Sequence, residues 1–216
     1  MILFDLDGTL VDTAPDLAYA LNLQRERHGL PALAMSTIRP FASHGSKGLL
    51  NIGFGLAPED ASFEAMRTEY LDLYDQVFAR SPVLFDGMDE LLSALHQRHI
   101  AWGVVTNKPR RFAQPLLASM QLTQPMACLV CGDDAALPKP APDTLLLACA
   151  QSDIAPQNCL YVGDALRDIE AGNLAGMQTV VALWGYIDQS DAPQTWGADF
   201  SIQHPLELID LISARV

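Results

Sequence analysis

The sequence predicts an α/β fold: a doubly wound parallel sheet with a small all-helical cap inserted after its first strand. Three observations carry this. An apolar run at residues 2–4 ends in Asp5-Leu6-Asp7-Gly8-Thr9, the pattern of a buried strand entering a turn. Residues 15–81 show helical spacing and no strand pattern. From residue 82 onward short apolar runs alternate with helical stretches, and repeated βα units imply a parallel, Rossmann-like sheet covered on both faces.

The elements follow in order. The first strand is residues 2–4. In the insertion, residues 15–28 form a helix, with Gly29 as its stop. Residues 37–50 form a second helical stretch broken at Ser43-His44-Gly45-Ser46. Residues 58–78 carry Phe63, Met66, Tyr70, Leu73, Tyr74 and Val77 at helical spacing. Helices are then expected over 87–96, 109–120, 142–151 and 166–175, and from Pro205 onward. Strands are expected over 101–106, 127–131, 159–163, 178–183 and 200–202. The domain division is therefore 1–14 and 82–216 for the core, and 15–81 for the cap.

Composition narrows the class. Half of the 216 residues are apolar and 18% are charged, which excludes a disordered chain. The formal net charge of −13 repels phosphate backbones and anionic lipid, so neither nucleic acid nor a membrane is expected as partner. The four cysteines do not describe a disulfide framework in a chain this long. Cys128 and Cys131 fall three apart on an expected strand, about 10 Å at ~3.3 Å per residue, beyond the ~7 Å reach of a bridge. No second Cys or His pair stands near them to complete a zinc site. No targeting segment and no apolar run of ~18 residues appears, so a cytoplasmic location is expected.

Open α/β sheets place ligands at the carboxyl ends of their strands. Strand one ends in Asp5 and Asp7, and the next core strand in Thr106-Asn107-Lys108. Lys139 lies in the loop after Cys131, and the strand ending at Gly163 delivers Asp164, with Asp168 one helical turn on. Asp5 and Asp7, two apart on a strand, are expected to point the same way. Carboxylates so crowded call for a cation, and hard oxygen ligands suit Mg²⁺ better than zinc.

These segments resemble the motifs of the haloacid dehalogenase-like (HAD) superfamily. Asp5-Leu6-Asp7-Gly8-Thr9-Leu10 is similar to its first motif, and Thr106-Asn107-Lys108-Pro109 to its second. Lys139-Pro140 resembles the third, and Gly163-Asp164-Ala165-Leu166-Arg167-Asp168 the fourth. The resemblance implies an enzyme, a phosphoric monoester hydrolase. Asp5 would take the phosphoryl group as an aspartyl phosphate, and Asp7 would serve as acid and then base. Asp7 would have to be protonated when substrate arrives, which crowding by like charge would favour. Thr106 would hold the phosphoryl oxygens and Lys139 would spread the moving charge. Mg²⁺ would be held by Asp5, the Asp7 carbonyl and Asp164, with Asp168 a ligand through water or an anchor behind the site.

The helical insertion resembles the superfamily's C1 cap, whose specificity loop corresponds here to residues 43–47. Lys47, with Gly45 and Gly48 near it, and His44 are therefore expected at the substrate, together with Asn107 and Lys108. Gly185-Tyr186-Ile187 and the second motif look like the phosphoglycolate phosphatase group. Trp102-Gly103-Val104-Val105, Trp196-Gly197-Ala198-Asp199 and His204-Pro205-Leu206-Glu207-Leu208 look closer to a branch that includes N-acetylmuramic acid 6-phosphate phosphatases. The substrate implied is a small phosphorylated metabolite, and the protein a monomer or homodimer. A phosphomutase on the same machinery and a non-catalytic binding or regulatory protein are the alternatives.

Overall fold

The computed structural model describes residues 1–80 and 82–213. Its centre is a six-stranded parallel sheet of β1 (Ile2–Phe4), β4 (Trp102–Val105), β5 (Leu129–Val130), β6 (Leu160–Gly163), β7 (Gln178–Ala182) and β8 (Phe200–Ile202). The spatial order is β5-β4-β1-β6-β7-β8, with every pairing parallel. The chain thus leaves the central β1 for one side of the sheet and later returns to its other side. That reversal opens a crevice at the carboxyl ends of β1, β4 and β6, where such sheets bind ligands.

Alternation along the strands fills both faces. Ile2 and Phe4 pack with Trp102, Val104, Val162 and Val180 under α5 (Met88–Gln97), α6 (Arg110–Ser119) and α9 (Glu207–Ser213). Leu3 points the other way, to Val105, Tyr161 and the residues of α7 (Asp143–Ser152) and α8 (Leu166–Leu174). Burial on both faces explains why these strands read as continuous apolar runs. All four cysteines are free and buried.

The helical segment comprises α1 (Ala14–Arg27), α2 (Met35–Ile38), a 3₁₀ turn (Arg39–His44), α3 (Gly45–Phe54) and α4 (Phe63–Val77). It has its own apolar cluster around Leu17, Leu21, Leu49, Phe63, Tyr70 and Tyr74. Phe112 and Tyr186, from elements beyond the segment, complete that cluster.

Several boundaries differ from expectation for local reasons. The helix break falls at 39–44, where Pro40 opens the 3₁₀ turn and Gly45, at φ 60°, closes it. The third helix starts at Phe63 because the preceding residues form a turn, with the Ala57 N–H on Asp60 Oδ2 at 2.7 Å. A two-stranded antiparallel ribbon of β2 (Val11–Asp12) and β3 (Val83–Leu84), not expected from sequence, joins the two ends of the segment to the core. It is too short to show periodicity. Ser81, the last residue of the expected cap, and 214–216 lie outside the described residues. Among the described residues no helix is long and apolar enough to cross a membrane.

Candidate active site

β1 stops at Phe4, so Asp5 and Asp7 lie on the chain that turns back beyond it. The Asp5 N–H still bonds the Val162 carbonyl at 2.9 Å, and the Leu10 and Val11 N–H groups close onto the Leu6 carbonyl. The two carboxylates therefore part company, contrary to the expectation that they share a direction.

Asp5 is buried and its Oδ1 lies 3.0 Å from Lys139 Nζ. Lys139, itself 3% exposed, also reaches Asp168 Oδ1 at 2.7 Å and donates to the Tyr161 hydroxyl at 2.6 Å and the Val105 carbonyl at 3.2 Å. Carboxylate oxygens of Asp5, Asp164 and Asp168 lie within 4.8 Å of one another. Burial, then the charges of Asp168 and Asp5, push the Asp164 carboxyl up to about 7. Burial likewise raises Asp5 despite the nearby Lys139 ammonium. Like charge, chiefly that of Asp168, adds to burial at both acids.

The donor set suits a metal. Three buried carboxylates offer hard oxygens and are held from behind rather than free to retract. The Asp168 Oδ2 accepts the Ala165 N–H at 3.0 Å. Asp164 receives Thr9 Oγ1 at 3.2 Å and the Tyr186 N–H at 2.8 Å. Gly8 and Gly185 press so close that a Cβ on either would strike the Asp164 side chain.

Asp7 sits apart. Its Oδ1 accepts the Thr13 hydroxyl at 2.5 Å and the Lys108 ammonium at 2.9 Å, and Lys108 also meets Oδ2 at 3.3 Å. Lys108 is 8% exposed, and its Nζ lies 4.9 Å from the centre of the Tyr74 ring on α4. Lys108, expected at the substrate, pairs here with Asp7. Asn107, also expected at the substrate, braces the neighbouring loop. Its Nδ2 donates to the Lys139 carbonyl and its Oδ1 accepts the Lys139 N–H, both at 2.9 Å, so its side chain holds the Lys139 loop. Thr106 ends β4 with its N–H on the Val130 carbonyl, and its hydroxyl accepts the Lys108 N–H at 3.1 Å.

Of the two residues expected on the helical segment, neither makes a hydrogen bond or ion pair with the carboxylate cluster among the described residues. Lys47 lies exposed on α3, with no hydrogen bond or ion pair among the described residues. His44 stands at the rim of the 3₁₀ turn. Desolvation of its ring and then the Arg167 charge lower its pKa, against Asp191 and Asp188. Its neighbour Ser43, within the expected loop of residues 43–47 but given no role of its own there, reaches the cluster, with Oγ 2.6 Å from Asp164 Oδ2. Tyr161 and Arg167 are further members that sequence reasoning left without roles. Tyr161 reads there as strand filler, and Arg167 stands inside the last motif beside Asp168.

A family model described as "Haloacid dehalogenase-like hydrolase" matches residues 2–182. The chain belongs to this family. It is similar to an N-acetylmuramic acid 6-phosphate phosphatase of Pseudomonas putida, at 43% identity over 100% of this chain and 96% of the relative. It is also similar to a phosphoglycolate phosphatase of Xanthomonas campestris, at 41% over 96% of this chain and 93% of the relative. Among solved structures, a haloacid dehalogenase-like family hydrolase from Streptococcus pneumoniae shares the fold, with a TM-score of 0.83 over 98% of this chain and 97% of that one, at 23% identity. The chain is accordingly an enzyme, a hydrolase of the haloacid dehalogenase-like family.

Proposed function

We propose that the chain is a Mg²⁺-dependent phosphatase acting on a small phosphomonoester whose leaving group carries a carboxylate. N-Acetylmuramic acid 6-phosphate is the first choice and phosphoglycolate the second. The observation that carries the reading is the buried Asp5 carboxylate, 3.0 Å from Lys139, within a three-carboxylate cluster at the mouth of the sheet. The similarity to two phosphatases of those specificities supports the order. A carboxylate is common to both substrates.

In this reading an Asp5 carboxylate oxygen attacks phosphorus as the bond to the leaving oxygen breaks, forming an aspartyl phosphate. Asp7 gives its proton to the departing alkoxide. It then takes one from the water that attacks phosphorus, which releases inorganic phosphate and restores Asp5. Lys139 balances charge on Asp5 and the phosphoryl oxygens, while Thr106 and neighbouring N–H groups orient them. Asn107 and Tyr161 keep Lys139 in place. Asp5, the Asp7 carbonyl, Asp164 and Asp168 would hold Mg²⁺, which when bound neutralises and fixes a phosphoryl oxygen. Residues 15–81 act as a cap, with Ser43 and its turn closing over the core and excluding water.

The test is hydrolysis of a panel of phosphomonoesters with and without Mg²⁺. Highest kcat/KM on carboxylate-bearing sugar or hydroxy-acid phosphates is expected. Absence of phosphate release from any of them by folded, metal-supplied protein overturns the reading.

A further inference from the structure

We propose that Arg167 binds the carboxylate of the leaving group, and so sets the preference for carboxylate-bearing phosphoesters. The inference rests on the phosphatase reading above and adds the residue that selects within it.

Arg167 lies on the first turn of α8, between Asp164 and Asp168, whose carboxylates form the cluster with Asp5. The 3₁₀ turn of the helical segment lies directly over this helix start, because Ser43 Oγ touches Asp164 Oδ2 at 2.6 Å. His44 is the next residue of that turn, and its ring feels the charges of Arg167, Asp191 and Asp188. Arg167 thus belongs to the helix start that Ser43 touches, beside the clustered carboxylates.

Its donors are uncommitted. Arg167 is half-buried, yet among the described residues no hydrogen bond or ion pair of 4.0 Å or less holds its guanidinium. The other basic groups at the site are spent: Lys139 on Asp5 and Asp168, Lys108 on Asp7, and Arg39 on Asp12. A half-buried guanidinium drawn by the charges of Asp168, Asp5 and Asp164, yet without a hydrogen-bond partner among the described residues, can grip a planar oxyanion by two parallel bonds.

The proposed mechanism divides the anionic groups of the substrate in the same way. The phosphoryl oxygens already have Lys139, Thr106 and the cation, so a second anionic group on the substrate is what remains to meet Arg167. Lys47, expected from sequence at the substrate, lies exposed, whereas Arg167 is half-buried beside the carboxylate cluster.

The experiment compares N-acetylmuramic acid 6-phosphate with N-acetylglucosamine 6-phosphate, the same sugar phosphate without the lactyl carboxylate. Wild type, Arg167→Ala and Arg167→Lys are assayed at saturating Mg²⁺, after a melting curve shows each to be folded. Arg167→Ala is expected to lower the ratio of kcat/KM for the acid over the neutral sugar by tenfold or more, mainly through KM of the acid. Arg167→Lys keeps the charge without the fork and should recover part of that ratio. If the alanine variant does not fold, the lysine variant carries the test, with a ratio below wild type expected. A ratio unchanged in the folded variants overturns the proposal. Equal losses on both sugars also overturn it, and mean that Arg167 only balances the acidic cluster. Wild type that releases no phosphate from either sugar or from p-nitrophenyl phosphate defeats the phosphatase reading itself, a different outcome.

Discussion

The Asp7–Lys108 pair invites a double-mutant cycle. Lys108 Nζ lies 2.9 and 3.3 Å from the two Asp7 oxygens, with the side chains 6% and 18% exposed. Breaking a fully buried pair costs about 3–5 kcal/mol, while an exposed pair is worth about 0–1 kcal/mol. This pair lies between, so Asp7→Asn, Lys108→Met and the double variant should give a coupling energy of about 2 kcal/mol. The pH dependence follows from the lysine. Desolvation alone would lower its pKa, but Asp7 and then Tyr74 more than offset this and raise it above the ordinary value. A raised lysine pKa means that the contribution is complete below the unfolded value of about 10.5 and is lost only as pH rises through the higher folded one. The coupling should therefore be the same at pH 7 and pH 9. Urea unfolding of the four proteins in EDTA measures it. A coupling under about 0.5 kcal/mol, or one that decays between pH 7 and 9, refutes the pairing.

Asp5→Asn should abolish turnover, since the amide is neither nucleophile nor anion. Because burial raises the Asp5 pKa despite Lys139, its ionised form costs the fold stability at neutral pH. In EDTA the variant should melt at or above the wild-type temperature, and a clearly lower Tm contradicts that sign. Thorough EDTA treatment should remove activity and Mg²⁺ restore it, whereas Ca²⁺, with looser and longer coordination, should inhibit; undiminished turnover in EDTA would take the metal out of the mechanism. Asn107→Ala removes both bonds to the Lys139 backbone and should cost about 1–3 kcal/mol of stability, with kcat falling more than KM rises. Wild-type kcat in that variant would show that Lys139 does not depend on Asn107 for its position.

What was legible in the sequence divides by range. Strand ends were legible because a buried run that stops at a carboxylate or a threonine announces both the strand and the rim. Asp5, Thr106 and Asp164 therefore fell where expected. The cap helices were legible as a change of period, since Tyr70 and Tyr74 share a face four residues apart. Partnerships across the fold were not. Asn107 and Lys139 are 32 residues apart, and Lys108 and Asp7 are separated by 101, so neither pairing leaves a local trace. Asn107 beside Thr106 reads as a substrate contact, and its two bonds to the Lys139 backbone leave no mark in the sequence. The β2–β3 ribbon, two residues per strand, is too short for periodicity to register.

The same long-range bonds tie the site to the movement proposed for the helical segment. Tyr186 is the junction. Its N–H bonds Asp164 Oδ2 at 2.8 Å, while its hydroxyl donates to Asp12 Oδ1 at 2.7 Å and accepts the N–H groups of Thr13 and Ala14. Arg39 meets Asp12 Oδ2 through both terminal nitrogens at 3.0 Å, and its guanidinium lies 5.1 Å from the Tyr186 ring centre. Asp164, the ribbon, the start of α1 and the 3₁₀ turn thus form one connected network. Lifting the turn off the core breaks the Ser43 bond, worth about 0.5–1.5 kcal/mol, with somewhat more for its charged acceptor. It also strains or breaks the Arg39 pair, which at 36% and 18% side-chain exposure adds only about 1 kcal/mol. A latch of that size favours closure yet opens readily within a catalytic cycle. Substrate contacts made only in the closed state, by residues of the helical segment, would then be enough to hold it shut.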